Sequence, residues 1–113
     1  MPERDMEILR RILRYCDEVE LAMQRFGDDR AVFMHDPVYR NAVSMPIQQI
    51  GELSKHLTDA FIAAQPNIPW KQIKGMRTWF AHQYWGMDLD VIWEVMHDNI
   101  PELKAFCMRM LNP

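Results

Sequence analysis

Three side chains within one eight-residue stretch, Arg77-Thr78-Trp79-Phe80-Ala81-His82-Gln83-Tyr84, carry the most pointed chemistry of this sequence. Arg77 is a permanently charged planar fork that can grip a phosphate with two parallel hydrogen bonds. His82 can take or give a proton near neutral pH, and Tyr84 adds a phenol two positions on. Cutting RNA without a metal requires a proton shuttle between the 2′-hydroxyl and the leaving oxygen, and a cation for the charged phosphorane. His82 and Arg77 offer one of each. Lys71 and Lys74 precede Arg77 at intervals of three and extend the positive charge along one helical face. With Thr78 they are the candidate phosphate-binding residues.

Arg77 and His82 lie five positions apart, about 140° of rotation on an ideal helix, whereas Arg77 and Tyr84 nearly share a face. Three arrangements bring arginine and histidine to one phosphate. The helix distorts or ends near His82; the pair converges only loosely; or a second copy of the chain sets its own Arg77 and His82 against the first pair. On its own the pattern Arg-x-x-x-x-His-x-Tyr is loose, and a helix with a surface arginine, a half-buried histidine and an interfacial tyrosine accounts for it as well.

The elements that position these residues are helical throughout, with no sustained strand alternation, internal repeat or low-complexity tract. A first helix is predicted from Glu3 to Phe26, with the stripe Leu9, Ile12, Cys16, Val19, Met23 and Phe26 and Gly27 as a left-handed cap. Asp28, Asp29 and Arg30 suit a loop that Phe33 and Met34 pin to the core. Asp36-Pro37 opens a second helix as N-cap and first helical residue. Its stripe is Ile47, Ile50, Leu57 and Phe61, with Leu53 alongside; Pro46 should bend it, and Gln65 to Pro69 break it. A third helix begins near Trp70, carries the octapeptide and ends at Gly86. Asp88 caps a fourth, with Asp90 as a favourable charge in its first turn. This helix shows Leu89, Ile92, Met96, Leu103, Cys107 and Met110 on one side and is kinked or divided at Pro101. The fold class is all-α: an antiparallel, up-down four-helix bundle.

With 113 residues the chain is a single domain spanning 1–113, able to bury its own core;. Ten methionines and four tryptophans, within a hydrophobic fraction of 49%, hint at self-association;. The net charge of −3 argues against broad nonspecific duplex binding but leaves room for a local basic pocket;. Cys16 and Cys107 match neither zinc spacing nor a redox pair and read as buried small hydrophobes. The N-terminus lacks the apolar run of a signal peptide, and no apolar run approaches ~20 residues, so a cytoplasmic protein that does not span a membrane is expected. His35, His56 and His97 have no ligand-like spacing, Glu52 and Asp59 lack the Glu-x-x-His pattern of bundle metal proteins, and Gly75 is a lone glycine rather than a phosphate loop. Neither a metal nor another cofactor is expected.

The stretches Ile68-Pro69-Trp70-Lys71-Gln72-Ile73-Lys74-Gly75-Met76-Arg77, Phe80-Ala81-His82-Gln83-Tyr84, Asp88-Leu89-Asp90-Val91-Ile92-Trp93-Glu94 and Ile100-Pro101-Glu102-Leu103 closely resemble the HepT-like branch of the HEPN family. So does Ile47-Gln48-Gln49-Ile50-Gly51-Glu52-Leu53 upstream. The likeness runs from about Ala42 to Leu103. It implies an all-helical HEPN-like homodimer whose two copies line one cleft with Arg77 and His82, acting as a metal-independent endoribonuclease toxin on RNA. His82 would be the general base and acid, and Arg77 the phosphate clamp. Tyr84 matches the position that a partner nucleotidyltransferase antitoxin can modify with AMP, which would put bulk and negative charge at the cleft mouth. The residue after the arginine is commonly asparagine in this family. Thr78 departs from that pattern and offers one hydroxyl in place of an amide's donor and acceptor. The competing reading is therefore a catalytically weak or inactive HEPN module that binds a nucleotide or a nucleotidyltransferase partner. A structural bundle whose octapeptide is accidental is the third.

Overall fold

The computed structural model describes the backbone of residues 1–82 and 89–112, and the side chains of residues 1–77 and 89–112. Among these, every regular element is helical.

The first helix, α1, runs from Glu3 to Phe26. Its predicted stripe faces the core: Leu9, Ile12, Cys16 and Val19 are fully buried, and Met23 and Phe26 pack partly against them. Glu3 and Asp5 in the first turn and Arg25 in the last complement the helix dipole;. Gly27 ends the helix with φ 98° and ψ 142°, its N–H donating to the Met23 carbonyl at 2.9 Å. The expected left-handed cap is thus corrected to an extended, positive-φ exit, a conformation that glycine adopts without a Cβ penalty.

The segment read as a loop forms a short helix, α2, from Arg30 to His35. Asp29 caps it, its carboxylate accepting from the backbone N–H groups of Ala31 and Val32 at 2.8 and 3.3 Å. Phe33 does pin it to the core, edge-on to Tyr39 at 5.2 Å and tilted on Trp93 at 5.4 Å. The Tyr39 ring stacks on Phe26, but its buried hydroxyl finds no hydrogen-bond partner among the described residues.

Helix α3 spans Pro37–Ser54, capped by Asp36 with Pro37 in its first turn, as predicted, and it contains Pro46. The second helix was expected to continue through Phe61. It stops instead at Ser54, and α4 (Asp59–Ala64) starts anew. Thr58 is the reason. Its backbone N–H and hydroxyl both donate to the carboxylate of Asp5, a fully buried residue of α1, at 2.9 and 2.7 Å. Its hydroxyl also accepts from the Phe61 N–H at 3.2 Å. A backbone donor committed to another helix is lost to helical continuation. Leu57 and Phe61 still turn inward, from a turn and a new helix.

Helix α5 covers Trp70–His82, starting where predicted. The expected end at Gly86 and cap at Asp88 lie outside the described residues. Beyond them, α6 (Leu89–Glu94) passes into a π-helical turn, Val95–Asn99, and then α7 (Ile100–Leu111). The division expected at Pro101 is real and lies just before it: the Ile100 N–H reaches back to the Val95 carbonyl, and Pro101 occupies the first turn of α7, where a missing N–H costs least;. Ile92, Met96, Ile100, Leu103 and Cys107 remain buried across the break.

The long helices form the bundle: α1 packs on α3 and α7, and α3 packs on α5. An aromatic cluster of Phe61, Trp70 and Phe106 ties α4, α5 and α7 together, with centroids 5.8–6.2 Å apart. None of the described helices is long and apolar enough to cross a membrane.

A polar clamp joins the α1–α2 connection to the π turn. His97 donates from Nδ1 to the Trp93 carbonyl at 2.8 Å, and its Nε2 lies 2.5 Å from the Asp28 carboxylate. With an acceptor at each ring nitrogen, the ring is satisfied only as the doubly protonated cation. Burial opposes that charge, but the Trp93 carbonyl and the Asp28 carboxylate outweigh it and raise the pKa above histidine's ordinary value;. Stability from such a group is fully present below the unfolded pKa, near 6.5, and is lost as pH climbs through the raised folded value;. Asp28→Asn is therefore expected to lower the unfolding free energy by about 1 kcal/mol near pH 6 and by progressively less in alkaline buffer. Urea denaturation over a pH series measures this, and a cost independent of pH would mean the ring is held neutral.

Candidate functional site

Helix α5 turns Trp70, Ile73 and Met76 inward and leaves Lys71 and Arg77 exposed, with Lys74 half-buried. The three cations therefore stand on the part of α5 left outside the core, as the spacing suggested. Neither Lys71 nor Lys74 is paired with a carboxylate among the described residues. The backbone is continuous α-helix from Arg77 through His82. The about 140° between those two positions thus stands, and no distortion inside the interval brings them together. The side chains of Thr78 and His82, and all of Tyr84, lie outside the described residues.

Arg77 is placed by a close crossing of α3 over α5. Gly51 meets α5 so tightly that an added Cβ would stand 2.5 Å from the Arg77 backbone nitrogen, 3.0 Å from the Ile73 carbonyl oxygen and 3.1 Å from the Arg77 Cβ. Only a residue without a side chain fits there. The next residue, Glu52, is consequently carried to the Arg77 guanidinium, with Oε2 3.6 Å from an Nη. The same carboxylate faces Lys55 at 3.8 Å and His56 at 3.7 Å.

By spacing alone Glu52 pairs only with Asp59. The structure puts it instead among cations, while Asp59 sits in the first turn of α4. The signal was present in the Gly51-Glu52 pair: a glycine inside an otherwise apolar helical stripe marks a close backbone approach, and the residue beside it is carried to the crossing. The Arg77–Glu52 pair is long and both side chains are more than 40% exposed. Such a pair is worth at most about 1 kcal/mol and leaves the guanidinium free to take a stronger anion.

The remaining candidates have local roles. Nδ1 of His35 donates to the Ala31 carbonyl one turn back at 2.8 Å, and His97 belongs to the clamp described above. Asp90 pairs with Arg30, tying α6 to α2. Cys16 and Cys107 are both fully buried free thiols, as their places in the apolar stripes implied.

Comparison with known proteins gives the family. The family described as "Ribonuclease HepT-like" matches residues 8–110. A protein of Caldanaerobacter subterraneus subsp. tengcongensis named "Putative RNase TTE0752" is 36% identical over 97 residues, 85% of this chain and 84% of its own length. The "Probable ribonuclease HepT" of Thermococcus cleftensis is 36% identical over 73 residues, 65% of this chain and 66% of its own. The "Putative RNase MJ0125" of Methanocaldococcus jannaschii is 33% identical over 105 residues, covering 92% of this chain and 89% of that one. No solved structure matches.

Gly51→Ala tests the crossing. Glycine to alanine in a helix interior ordinarily stabilises by roughly 0.5–1 kcal/mol. Here the new methyl group meets backbone and must push α3 off α5, so a net loss of about 1–3 kcal/mol in denaturant unfolding is expected. A gain in stability would show that the two helices part without cost.

Proposed function

The chain belongs to the ribonuclease HepT-like family, and on that footing we propose that it is a metal-independent endoribonuclease of HEPN type. The observation that carries the reading is the placement of Arg77: an exposed guanidinium held over α3 by the Gly51 crossing and only loosely neutralised by Glu52. It stands on the same unbroken helix as His82.

In the proposed reaction Arg77 grips the scissile phosphate and stabilises the extra negative charge of the phosphorane. His82 takes the proton of the adjacent ribose 2′-hydroxyl, whose oxygen attacks phosphorus. The P–O5′ bond breaks, and the departing oxygen takes the proton back from His82, now the general acid, leaving a 2′,3′-cyclic phosphate and a 5′-hydroxyl. DNA lacks the attacking hydroxyl and is not a substrate. Because Arg77 and His82 are about 140° apart around α5, one helix serves the two ends of the reaction poorly. A homodimer in which each copy completes the other's pocket resolves this. Lys71, Lys74 and Thr78 extend the phosphate contacts along α5.

The setting proposed is a toxin–antitoxin pair in the cytoplasm. A nucleotidyltransferase partner would transfer AMP to the Tyr84 hydroxyl and exclude RNA by occupancy and like-charge repulsion. Thr78, in place of the family's usual asparagine, favours the competing reading of a binding module with little or no turnover, and the same experiment separates the two.

Purified protein is expected to cleave RNA in the presence of EDTA and to leave cyclic-phosphate ends. His82→Ala should lower the rate by ~10²–10⁴ without changing the helical circular dichroism spectrum. Cleavage that needs a divalent ion, or that survives in the variant, rejects the mechanism; tight nucleotide or partner binding without turnover selects the binding module. Co-expression with a nucleotidyltransferase is expected to add the mass of one AMP to the peptide containing Tyr84. Protein that stays unmodified yet is still silenced would place the regulation elsewhere.

A further inference from the structure

Two cations and a histidine, from the turn after α3 and from α5, gather on one carboxylate. Arg77 and Lys55 stand 3.6 and 3.8 Å from Glu52 Oε2, and His56 Nε2 stands 3.7 Å from Oε1. All three distances exceed hydrogen-bond length, and the four side chains are between 36% and 56% exposed. A single carboxylate leaves this group with a net positive charge whether or not His56 is protonated, on a chain whose net charge is −3. Lys55 and His56 follow the last turn of α3, Arg77 lies on α5, and the Gly51 contact fixes the spacing between them.

A carboxylate held at these distances in water contributes little. A phosphate can accept two parallel hydrogen bonds from an arginine, and a neighbouring phosphate a further one from a lysine. Glu52 therefore stands where a stronger anion would sit. Building on the ribonuclease reading, we infer that Lys55 and His56 form a second phosphate contact for RNA beside Arg77. The Gly51 crossing holds these basic groups beside one another, and Glu52 is the internal anion that occupies the position until the strand's phosphates displace it. Arg77 takes the scissile phosphate, and the turn after α3 takes a neighbouring one. The Arg77 and Lys55 nitrogens are no further apart than the sum of their distances to the shared oxygen, so one strand can touch both.

Lys55 and His56 also suit the negative end of the α3 dipole. That role alone would alter stability and leave RNA binding untouched. The test is fluorescence anisotropy of a single-stranded RNA blocked with 2′-O-methyl groups, titrated at several salt concentrations. The double variant Lys55→Gln/His56→Gln is expected to raise Kd about three- to tenfold and to reduce the log–log salt slope by roughly one. Lys55→Gln alone should give part of the effect. Glu52→Gln is expected to lower Kd, because it removes the competing anion and leaves the cations in place. An unchanged slope in the double variant, or weaker binding by Glu52→Gln, overturns the inference. If the wild-type protein still cleaves RNA, that result leaves the ribonuclease reading standing, whereas a wild-type protein that neither binds nor cleaves RNA removes both.

Discussion

The contact of Gly51 with the backbone of Arg77 is the constraint on which the site depends. Helices pack about 8–10 Å apart, a separation set by the side chains at their crossing. Where one of those side chains is a hydrogen atom, the axes come closer and the flanking residues are carried to the partner helix. Ile47 and Ile50 are buried in the core, while Glu52 emerges at the rim beside Arg77. Core packing and the electrostatics of the rim thus share one cause, and neither can be altered at this crossing without moving the other.

The rest of the fold holds that crossing in register. Asp5, reaching from α1 to Thr58, closes the turn that ends the α3 region. The aromatic cluster of Phe61, Trp70 and Phe106 fixes the start of α5. At the other end, Asp28–His97 and Arg30–Asp90 tie the α1–α2 connection and the start of α2 to the segment that follows the motif. Lys104 of α7 pairs with Asp17 at 2.9 Å and with Glu20, both on α1. These exposed pairs add little stability individually; they join elements distant in sequence on either side of α5.

Local signals in the sequence were enough for α1, the Asp36-Pro37 start of α3 and the start of α5, because each has a long apolar period or a capping pair that acts within a few residues. The second helix ends at Ser54 although the apolar stripe continues through Leu57 and Phe61. What stops the helix is a carboxylate about fifty positions away, which no local window contains. The Asp29 cap is illegible for a different reason: a six-residue helix is too short to establish a period, so the sequence shows Phe33 as an anchor but not the turn that presents it. For the candidate site, residue chemistry points to Arg77, and the structure shows which crossing presents it. The partnership with Glu52 was not legible, because it follows from the crossing of two helices rather than from spacing along one.

Cys16 and Cys107 lie fully buried in the helices α1 and α7, which pack together. Burial pushes the Cys107 thiol up to about 12 and the Cys16 thiol higher still, so neither forms the thiolate that nucleophilic attack or oxidation requires;. Oxidants and alkylating reagents reach sulfur here only when the α1–α7 seam comes apart. The redox state of the surroundings is thereby uncoupled from the Arg77 rim for as long as the bundle stays shut.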